Sequence, residues 1–439
     1  MKTRHFLLCL TLCMGLFDCS MTIAQSSGYV KQIITTNSGR FEYSPPYTDY
    51  AMVQAYNPQT GIVNLFNTIY TQSTQCVAVS GKMAYVAAQD SIIKYDLNSM
   101  QRVAAIKDSG LNQLAVFNGR VIVSKQYPII NNFVEVLDTS NLGVITEISG
   151  ISGDCGSIMM INDTVYVAVN GGWMGTNGKL AIIDPSTWTL NTEVDFGSEA
   201  IGIFNLYSYK GKLFSINKTP YGVVDTGSIT VYNPLDRSFI NVFLNHAVAT
   251  GSGIKDSLLY LGLDNGIGSF NLNLLMVQNS IIIPDPGSSV FTYILSSVVD
   301  SLDDRIYVNI GDYITPGYCL VTALNGDSIT SFYTGISSDA IAVDYRFYPA
   351  GISNSNSKES TVKVFPNPVR NNLTVVLDGH YDLQRLLVYD ITGRVLRTQS
   401  IESIDNKSVT VSCQNLPSGL YYVMIDTSNG RLVKPFIKQ

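Results

Sequence analysis

Histidine is nearly absent from this chain, and cysteine is scarce and scattered. Of three histidines in 439 residues, only His246 and His380 lie beyond the N-terminal region. A histidine-built metal site or a Ser-His-Asp triad would have to use one of these two. The cysteines beyond residue 19 stand far apart with no CxxC spacing, at Cys76, Cys155, Cys319 and Cys413. We therefore predict small, isolated apolar cysteines, no disulfide between Cys76 and Cys155, no catalytic residue, and no metal or cofactor.

Charged residues are also few. They make up 14% of the chain and give a net charge of −6, whereas an average domain has about 25% charged residues. No cluster of Lys or Arg supplies the basic surface of a nucleic-acid-binding protein. The 26 tyrosines and 17 phenylalanines favour β-structure. This composition is typical of an all-β secreted protein, and we expect a monomer that binds no nucleic acid.

Long apolar runs are missing beyond the N-terminus, where none approaches the roughly 20 residues of a membrane-spanning helix. The N-terminus itself has basic residues, an apolar stretch over residues 6–17 and a small-residue end at Ala24. This pattern predicts a secretory signal peptide over residues 1–24. A lipoprotein signal needs a small residue directly before its cysteine, and Asp18 occupies that position before Cys19. We therefore do not expect lipidation.

The stretch from residue 158 to residue 196 reads as four short strands. They cover residues 158–161, 165–169, 180–183 and 190–196. Asn162-Asp163 and Pro185-Ser186 supply turns, because Asn and Asp tolerate a left-handed backbone and cap their own peptide groups. A Gly-rich loop over residues 170–178 joins the second strand to the third. This stretch is one unit of a repeat.

The second strand of the unit recurs along most of the chain. Its central residues are Tyr85, Ile122, Tyr166, Phe214, Tyr260 and Tyr307. The intervals of 37 to 48 residues are close to the roughly 40–45 of four-stranded propeller blades. Strands such as MAYVAA and TVYVAV are apolar on both faces, as a sheet stacked between two neighbours requires.

An incomplete unit at residues 50–69 and an unpaired strand at residues 340–345 lie at the two ends of the repeat. We expect them to complete one shared blade, because such closure removes exposed strand edges. Six full units and one shared unit predict a seven-bladed β-propeller over residues 25–349. The recurring turn, "YV" and "vyD" pattern resembles the YVTN family of seven-bladed propellers. Residues 170–184 resemble surface propellers of Gram-negative gut and oral bacteria; this resemblance implies a fold and no particular activity.

Residues 350–361 contain almost no apolar side chain and are predicted to be a linker. Beyond them, short apolar strands and an Asn429-Gly430 hairpin signal predict a small Ig-like β-sandwich over residues 362–439. The overall prediction is an all-β chain: a seven-bladed β-propeller followed by this sandwich.

Three motifs in the sandwich occur in a defined order. They are Phe365-Pro366-Asn367-Pro368, Asp390-Ile391-Thr392-Gly393-Arg394, and a segment from Leu416 to Val423 that contains Gly419. Together they resemble the type A C-terminal sorting domain of type IX secretion. In that family an outer-membrane translocon recognises the domain and removes it, and the cargo is commonly attached to surface polysaccharide. The resemblance implies a secreted, cell-surface protein whose partners are the translocon and the sorting machinery. The alternative is an ordinary adhesive Ig-like module.

Loops that follow the second strands carry four aromatic residues among glycine and proline: Tyr127, Trp173, Tyr221 and Tyr313. In a propeller these loops share one face with the central funnel, and flat rings on rigid loops suit sugars, peptides or planar ligands. With Asp312, they predict non-catalytic binding of a glycan, a peptide or a cofactor-like nutrient. Some propellers that this chain resembles bind corrinoids, which makes cobalamin one form of the prediction. The alternative is that each ring packs onto its own blade.

Six carboxylates have the same predicted placement: Asp90, Asp154, Glu199, Asp264, Asp285 and Asp312. A pair about 5–9 Å apart could perform glycoside chemistry, so a surface glycan hydrolase or lyase is the main alternative function. Turn capping also explains isolated aspartates. A structural scaffold for surface protein partners is the third alternative.

Five Asp-Ser or Asp-Thr pairs followed by an apolar residue resemble the O-glycosylation signal of the same bacterial group. Their hydroxyl residues are Ser91, Thr164, Ser257, Ser301 and Ser328. Several of these triplets lie in repeat turns, where Asp and Ser also serve as turn residues, so both explanations stay open.

Overall fold

The computed structural model describes residues 28–172, 174–220, 222, 226–287, 290–347, 362–377, 383–390, 395–400, 408–427 and 430–439. They form two compact units, Tyr29–Arg346 and a C-terminal unit that begins at Phe347. The predicted signal peptide (1–24) and linker (350–361) lie outside the described residues. Within the described part of the chain, no helix is long and apolar enough to cross a membrane.

The larger unit is built from four-stranded antiparallel sheets that follow one another along the chain. Sheet 1 begins with β1 (Gly28–Asn37), β2 (Ala51–Tyr56) and β3 (Val63–Ile69). Sheet 2 contains β4 (Cys76–Ser80), β5 (Met83–Ala88), β6 (Ser91–Asp96) and β7 (Gln101–Lys107). Sheet 3 contains β8 (Leu111–Phe117), β9 (Arg120–Lys125), β10 (Val134–Asp138) and β11 (Val144–Ile148). Sheet 4 contains β12 (Cys155–Ile161), β13 (Thr164–Val169), β14 (Lys179–Asp184) and β15 (Thr189–Asp195).

A short 3-10 helix (Ser198–Ala200) leads into the next three sheets. Sheet 5 contains β16 (Ile203–Tyr209), β17 (Lys212–Asn217), β18 (Ser228–Tyr232) and β19 (Phe239–Phe243). Sheet 6 contains β20 (Val248–Lys255), β21 (Leu258–Leu263), β22 (Gly266–Asn271) and β23 (Met276–Pro284). Sheet 7 contains β24 (Tyr293–Asp300), β25 (Arg305–Gly311), β26 (Tyr318–Ala323) and β27 (Ser328–Tyr333).

The last strand of the larger unit, β28 (Ala340–Phe347), returns to sheet 1 and pairs with β1, which gives the order β28-β1-β2-β3. The predicted sharing of one sheet between the two ends of the repeat is therefore confirmed. The structure differs from the prediction in one strand of this sheet, β1. It pairs with β2, with Ile33 opposite Tyr56 at one end and Asn37 opposite Met52 at the other. It supplies the strand that the incomplete first unit lacked in the sequence. The chain between β1 and β2 is long, which hides their relationship from a repeat pattern.

Apolar clusters fill every junction between consecutive sheets, including the junction between sheets 7 and 1. In β13, Val165 and Val167 pack against sheet 3, whereas Tyr166 and Ala168 pack against sheet 5. Second strands are apolar on both faces because each face packs against a neighbouring sheet, as the sequence predicts. At the closing junction the rings of Tyr56 and Phe332 stack with centroids 4.0 Å apart. The sheets form a closed ring, which is a β-propeller.

The first strands of neighbouring sheets contact each other around this ring, from β4 through β8, β12, β16 and β20 to β24. They therefore line the centre, and the fourth strands lie at the periphery. The loops that follow the second and fourth strands all lie on one side of the ring, because the strands of each sheet alternate in direction. We call this side the mouth face.

The C-terminal unit consists of two sheets that share one core. Its strands are β29 (Val362–Phe365), β30 (Asn372–Leu377), β31 (Leu383–Asp390), β32 (Val395–Ser400), β33 (Ser408–Ser412), β34 (Gly419–Thr427) and β35 (Gly430–Lys438). The sheet orders are β29-β30-β33 and β32-β31-β34-β35. Val375 and Val411 from the first sheet meet Val388, Val423 and Phe436 from the second. This is the predicted β-sandwich.

Four cysteines are buried, each in a different apolar cluster. Cys76 lies between sheets 2 and 3, Cys155 between sheets 3 and 4, and Cys319 between sheets 7 and 1. Cys413 belongs to the C-terminal core. Burial raises the pKa of the Cys76 thiol to about 11, so this side chain behaves as a small apolar residue.

Candidate functional site

Two adjoining cavities open on the mouth face of the ring. The first has a volume of about 370 Å³ and lies between sheets 5, 6 and 7. The second has a volume of about 280 Å³ and lies between sheets 3, 4 and 5. Thr219 and Pro220, in the loop after β17, line both of them. Each cavity is of the size of a small polar ligand or of one unit of a larger one.

The first cavity contains two of the predicted carboxylates, Asp264 and Asp285, and we call it the aspartate cavity. Asp264 Oδ2 lies 2.5 Å from His246 Nδ1, and its Oδ1 accepts a hydrogen bond from the Ala247 N–H at 2.8 Å. Asp285 accepts bonds from the N–H groups of Gly287 at 2.7 Å and Ile294 at 2.9 Å. Each of the four carboxylate oxygens thus already has a partner within the protein. These aspartates hold loops in place, as turn capping predicts.

The second cavity contains one cationic residue, Lys218, and we call it the lysine cavity. Its other walls are amides and backbone: Asn112, Gln126, Asn170, Gly172, Gly175, Gly202, Phe204, Thr219 and Pro220. Phe204 and Pro220 supply its apolar side chains, and the three amides, Thr219 and Lys218 supply its polar side chains.

The backbone on both sides of Lys218 is fixed. The Lys218 N–H donates to the Gly202 carbonyl at 2.9 Å, and the Thr219 N–H donates to the Val248 carbonyl at 2.9 Å. Gly202 has a φ of +83°, and a Cβ there would lie 2.3 Å from the Lys218 carbonyl oxygen. Only glycine allows this approach of the two chains. The site of Lys218 is therefore set by the fold.

The Lys218 side chain has no anionic partner among the described residues. Its Nζ lies 4.1 Å from the centroid of the Phe204 ring, which is a cation–π contact. Burial lowers the pKa of Lys218, because the charged form loses hydration that no carboxylate replaces.

Lys125 lies at the end of β9, as Lys218 lies just after the end of β17, but Lys125 is paired with carboxylates. Its Nζ lies 2.6 Å from Asp108 Oδ1 and 2.6 Å from Glu135 Oε2. Burial alone would lower the pKa of Lys125, but the hydrogen bonds and charges of the two carboxylates outweigh it and raise this pKa. Burial, with the nearby Asp108 charge, raises the pKa of Glu135 to about 6.

The remaining predicted carboxylates are spread over the mouth face. Asp312 accepts bonds from the N–H groups of Thr315 and Ile314, which hold its pKa below the usual range. Asp90 pairs with Lys107 at 2.6 Å. Glu199 is exposed in the short helix. Asp154 lies beside Gly172 at the margin of the lysine cavity, and burial raises its pKa.

Of the four predicted aromatic residues, Tyr127 and Tyr313 are described, whereas Trp173 and Tyr221 lie outside the described residues. Tyr127 is 81% exposed and Tyr313 is 51% exposed. The Tyr313 ring lies 6.3 Å from that of Tyr293. Neither lines one of the two cavities. Their place in a binding face stays a prediction.

The five hydroxyl residues of the glycosylation-like triplets are all reachable from solvent. Ser301 and Ser328 are exposed, and Ser91, Thr164 and Ser257 are partly exposed. Ser91 donates a hydrogen bond to Asp90 Oδ1 at 3.0 Å. Their modification stays a prediction.

In the C-terminal unit, the predicted sorting motifs meet the last strand. Asn367, between Pro366 and Pro368, accepts a hydrogen bond at Oδ1 from the Ile437 N–H at 2.9 Å. Gly419 at the start of β34 pairs with Lys438 of β35. Gly393 lies outside the described residues. The first and last segments of the motif set thus both contact β35.

Histidine, cysteine and carboxylate side chains do not assemble into a metal site: no group of three or more lies close together among the residues that the structure describes. Sequence reasoning missed Lys218 and the amides around it. The available signal was a lysine directly after the apolar strand LFSIN, followed by Thr219 and Pro220.

Residues 363–439 match the family described as the secretion system C-terminal sorting domain. The predicted sorting domain is thereby confirmed. No protein with a curated description matches the chain.

Solved structures resemble the chain at low sequence identity. A hypothetical selenium-binding protein from Sulfolobus tokodaii has a TM-score of 0.55 at 10% identity, over 72% of this chain and 93% of that protein. The WD40 repeats of RRP9 have a TM-score of 0.48 at 10% identity, over 61% and 83%. The extracellular domain of a putative one component system from B. thetaiotaomicron has a TM-score of 0.47 at 12% identity, over 93% and 59%. Likeness at these identities concerns the fold alone.

Proposed function

We propose that this chain is a secreted, surface-displayed binding protein that captures a ligand at its mouth face without transforming it. In this proposal the sheets act as the blades of a seven-bladed, YVTN-type propeller. The two adjoining cavities receive the ligand, and the loops around them, including Tyr127, Trp173, Tyr221 and Tyr313, complete the face.

The observation that carries the proposal is the state of the aspartate cavity. Asp264 and Asp285 are the carboxylates of this cavity, and their oxygens are bound to His246 and to backbone N–H groups. A general acid or base must be able to reach the substrate with a free oxygen or proton. Carboxylates used as loop caps support binding in preference to hydrolysis.

The lining of both cavities supports a polar ligand. Polar side chains line part of each cavity: four hydroxyls and two carboxylates in the aspartate cavity, and three amides, one hydroxyl and Lys218 in the lysine cavity. A glycan, a polar peptide or a cofactor-like nutrient such as cobalamin has the hydrogen-bonding groups for such a surface.

The test is a ligand screen on the full chain with glycan arrays, peptides and cobalamin. Pro220→Trp fills the region shared by both cavities and should abolish binding. Trp173→Ala and Tyr313→Ala test the aromatic part of the face, where loss of a stacking ring should weaken binding by ~1–3 kcal/mol. A ligand whose affinity is unchanged by Pro220→Trp would overturn the assignment to the cavities.

One observation favours a hydrolase as the second candidate, namely the contact of 2.5 Å between His246 Nδ1 and Asp264 Oδ2. A carboxylate in this position can orient an imidazole for proton transfer. Products released from a glycan, and their loss in His246→Ala, would identify an enzyme. Binding without products supports the first proposal.

Export is part of the proposal. Residues 1–24 direct the chain across the inner membrane, and the C-terminal domain directs it through type IX secretion to the cell surface, where the domain is removed. Deletion of residues 362–439 should leave the propeller in the periplasm, measured by fractionation and surface labelling. Unchanged surface display after this deletion would contradict the export route.

A further inference from the structure

The lysine cavity has a property that the proposed binding function does not by itself require. Among the described residues its only cation is Lys218, which is half-buried and is paired with no carboxylate there. An ammonium group taken out of water without an anionic partner lowers the stability of a protein. Two fixed backbone hydrogen bonds and the close approach of Gly202 nevertheless hold it there.

Three amides around Lys218 also have unused hydrogen-bonding groups. Asn112 Nδ2 donates to the Cys155 carbonyl at 2.7 Å, and Asn170 Oδ1 accepts from the Gly172 N–H at 3.0 Å. Asn112 Oδ1, Asn170 Nδ2 and the Gln126 amide remain without a partner among the described residues. The cavity thus offers one positive charge together with neutral donors and acceptors.

This combination fits a ligand that carries one anionic oxygen group and several hydroxyls. The cation would be satisfied by the anion, and the amides by the hydroxyls. A sugar acid presents several hydroxyls, each both donor and acceptor, on the same ring as its anionic group, which matches three amides and one cation in a small cavity. A volume of about 280 Å³ is at the small end of ligand sites, which suits one sugar unit.

We propose that the lysine cavity is a subsite for an acidic saccharide and that the Lys218 ammonium pairs with its carboxylate or sulfate group. This inference rests on the proposed function and names the class of ligand that the mouth face takes.

The probes are glucuronate, glucose and inorganic sulfate, added to the full chain. The readout is protection of Lys218 from amine acetylation, followed by mass spectrometry of its peptide. Glucuronate should protect Lys218 and glucose should not. Protection by sulfate as well indicates that any oxyanion is recognised, whereas protection by glucuronate alone indicates a carboxylate-bearing sugar. Equal effects of glucose and glucuronate, or no protection by either anion, would overturn the proposal.

Binding affinities of variants also test whether Lys218 pairs with the anionic group of the saccharide. Oligogalacturonides and their methyl esters differ in charge and by one methyl group per ester, and oligosaccharides with and without sulfate provide a second matched pair. Lys218→Met should weaken binding of the acidic member at least about tenfold, and Lys218→Arg should restore part of it. Lys82→Met, at an exposed turn, makes the same change in net charge and should have no effect. Asp154→Asn should strengthen binding, since it removes a negative group from the cavity margin.

The outcomes separate this inference from the broader proposal. If neutral saccharides bind as well as acidic ones and Pro220→Trp abolishes both, the binding function stands and the acidic subsite is wrong. If an acidic peptide binds in a Lys218-dependent way and acidic saccharides do not, the ligand class is wrong. If Pro220→Trp leaves all binding unchanged, the proposed function fails as well.

Discussion

Lys125 and Lys218 lie at the ends of second strands in sheets 3 and 5, and the protein treats them in opposite ways. Lys125 is enclosed by Asp108 and Glu135, each 2.6 Å from its Nζ. Lys218 faces a polar cavity and contacts the Phe204 ring. The first arrangement completes an ion network within the fold, whereas the second leaves a charge for which the described residues supply no counter-ion. We interpret Lys125 as a structural lysine, and we propose that Lys218 is a binding lysine.

The largest expected effect comes from breaking the network. Lys125→Met leaves two buried carboxylates without their cation and should lower the free energy of unfolding by about 3–5 kcal/mol at pH 7. Denaturant unfolding of the full chain measures this, with tryptophan fluorescence as the signal. Both tryptophans, Trp173 and Trp188, lie in the propeller region, so the signal follows this unit.

Lys107→Met is the matched control for that change. Lys107 is also 2.6 Å from a carboxylate, that of Asp90, but the two side chains are 78% and 48% exposed. Exposed pairs contribute about 0–1 kcal/mol. Equal losses in Lys125→Met and Lys107→Met would contradict the structural role of the buried network.

The second effect concerns the support of Lys218. Gly202→Ala places a Cβ 2.3 Å from the Lys218 carbonyl oxygen and should destabilise the propeller by about 2–3 kcal/mol. Gly211→Ala, in the same sheet, has a similar φ of +74° with nothing within 4 Å of the added atom. It should cost about 1 kcal/mol, the cost of a left-handed backbone alone. Equal losses would show that the close approach at Gly202 is unimportant.

The third effect has the opposite sign. Lys218→Met removes a half-buried charge that no described carboxylate pairs, together with the cation–π contact. The free energy of unfolding should therefore stay unchanged or rise by up to about 1 kcal/mol. The same variant should lose binding of acidic saccharides. A fall in stability like that of Lys125→Met would show that Lys218 has a structural partner; Asp225→Asn then tests the nearest carboxylate in sequence outside the described residues.

The smallest effect is a pH dependence of the Lys125 network. Glu135 has a pKa raised from 4.5 to about 6 in the folded chain. Between these values the folded state holds more protons than the unfolded state, so this group makes stability fall as pH rises through about 4.5 to 6. Glu135→Gln should flatten the decline in urea unfolding between pH 4.5 and 6.5. An unchanged profile would place the titration elsewhere, and Asp339→Asn tests the other carboxyl whose pKa burial raises to about 6.

The sequence was sufficient for the parts of the fold that repeat. Tyr85, Tyr166, Tyr260 and Tyr307 mark second strands because each strand buries both faces between two neighbours, and a short window of sequence records that. It was insufficient for β1, which repeats no recognisable motif and is separated from its partner by a long loop. Pairing across such a loop is a tertiary property.

The candidate site was harder to predict for the same physical reason. The aromatic loops stand out in sequence, but the described pair, Tyr127 and Tyr313, lines neither cavity. The proposal for Lys218 rests on the lack of a carboxylate partner among the described residues, and the packing of sheets 3, 4 and 5 determines which side chains lie around it. Likewise, the contact between Asn367 and Ile437 joins residues 70 positions apart.

The central claim is that Lys218 is half-buried, has no counter-ion among the described residues, and receives one from a ligand. Titration of the lysine side chains by NMR, with ¹³C-labelled lysine in the full chain and assignment by Lys218→Arg and Lys125→Arg, tests it directly. The account predicts a pKa of Lys218 below the ordinary lysine value of about 10.4 and a pKa of Lys125 above it. Addition of glucuronate should raise the pKa of Lys218 and leave that of Lys125 unchanged. A pKa of Lys218 at or above the ordinary value in the free chain would contradict the account.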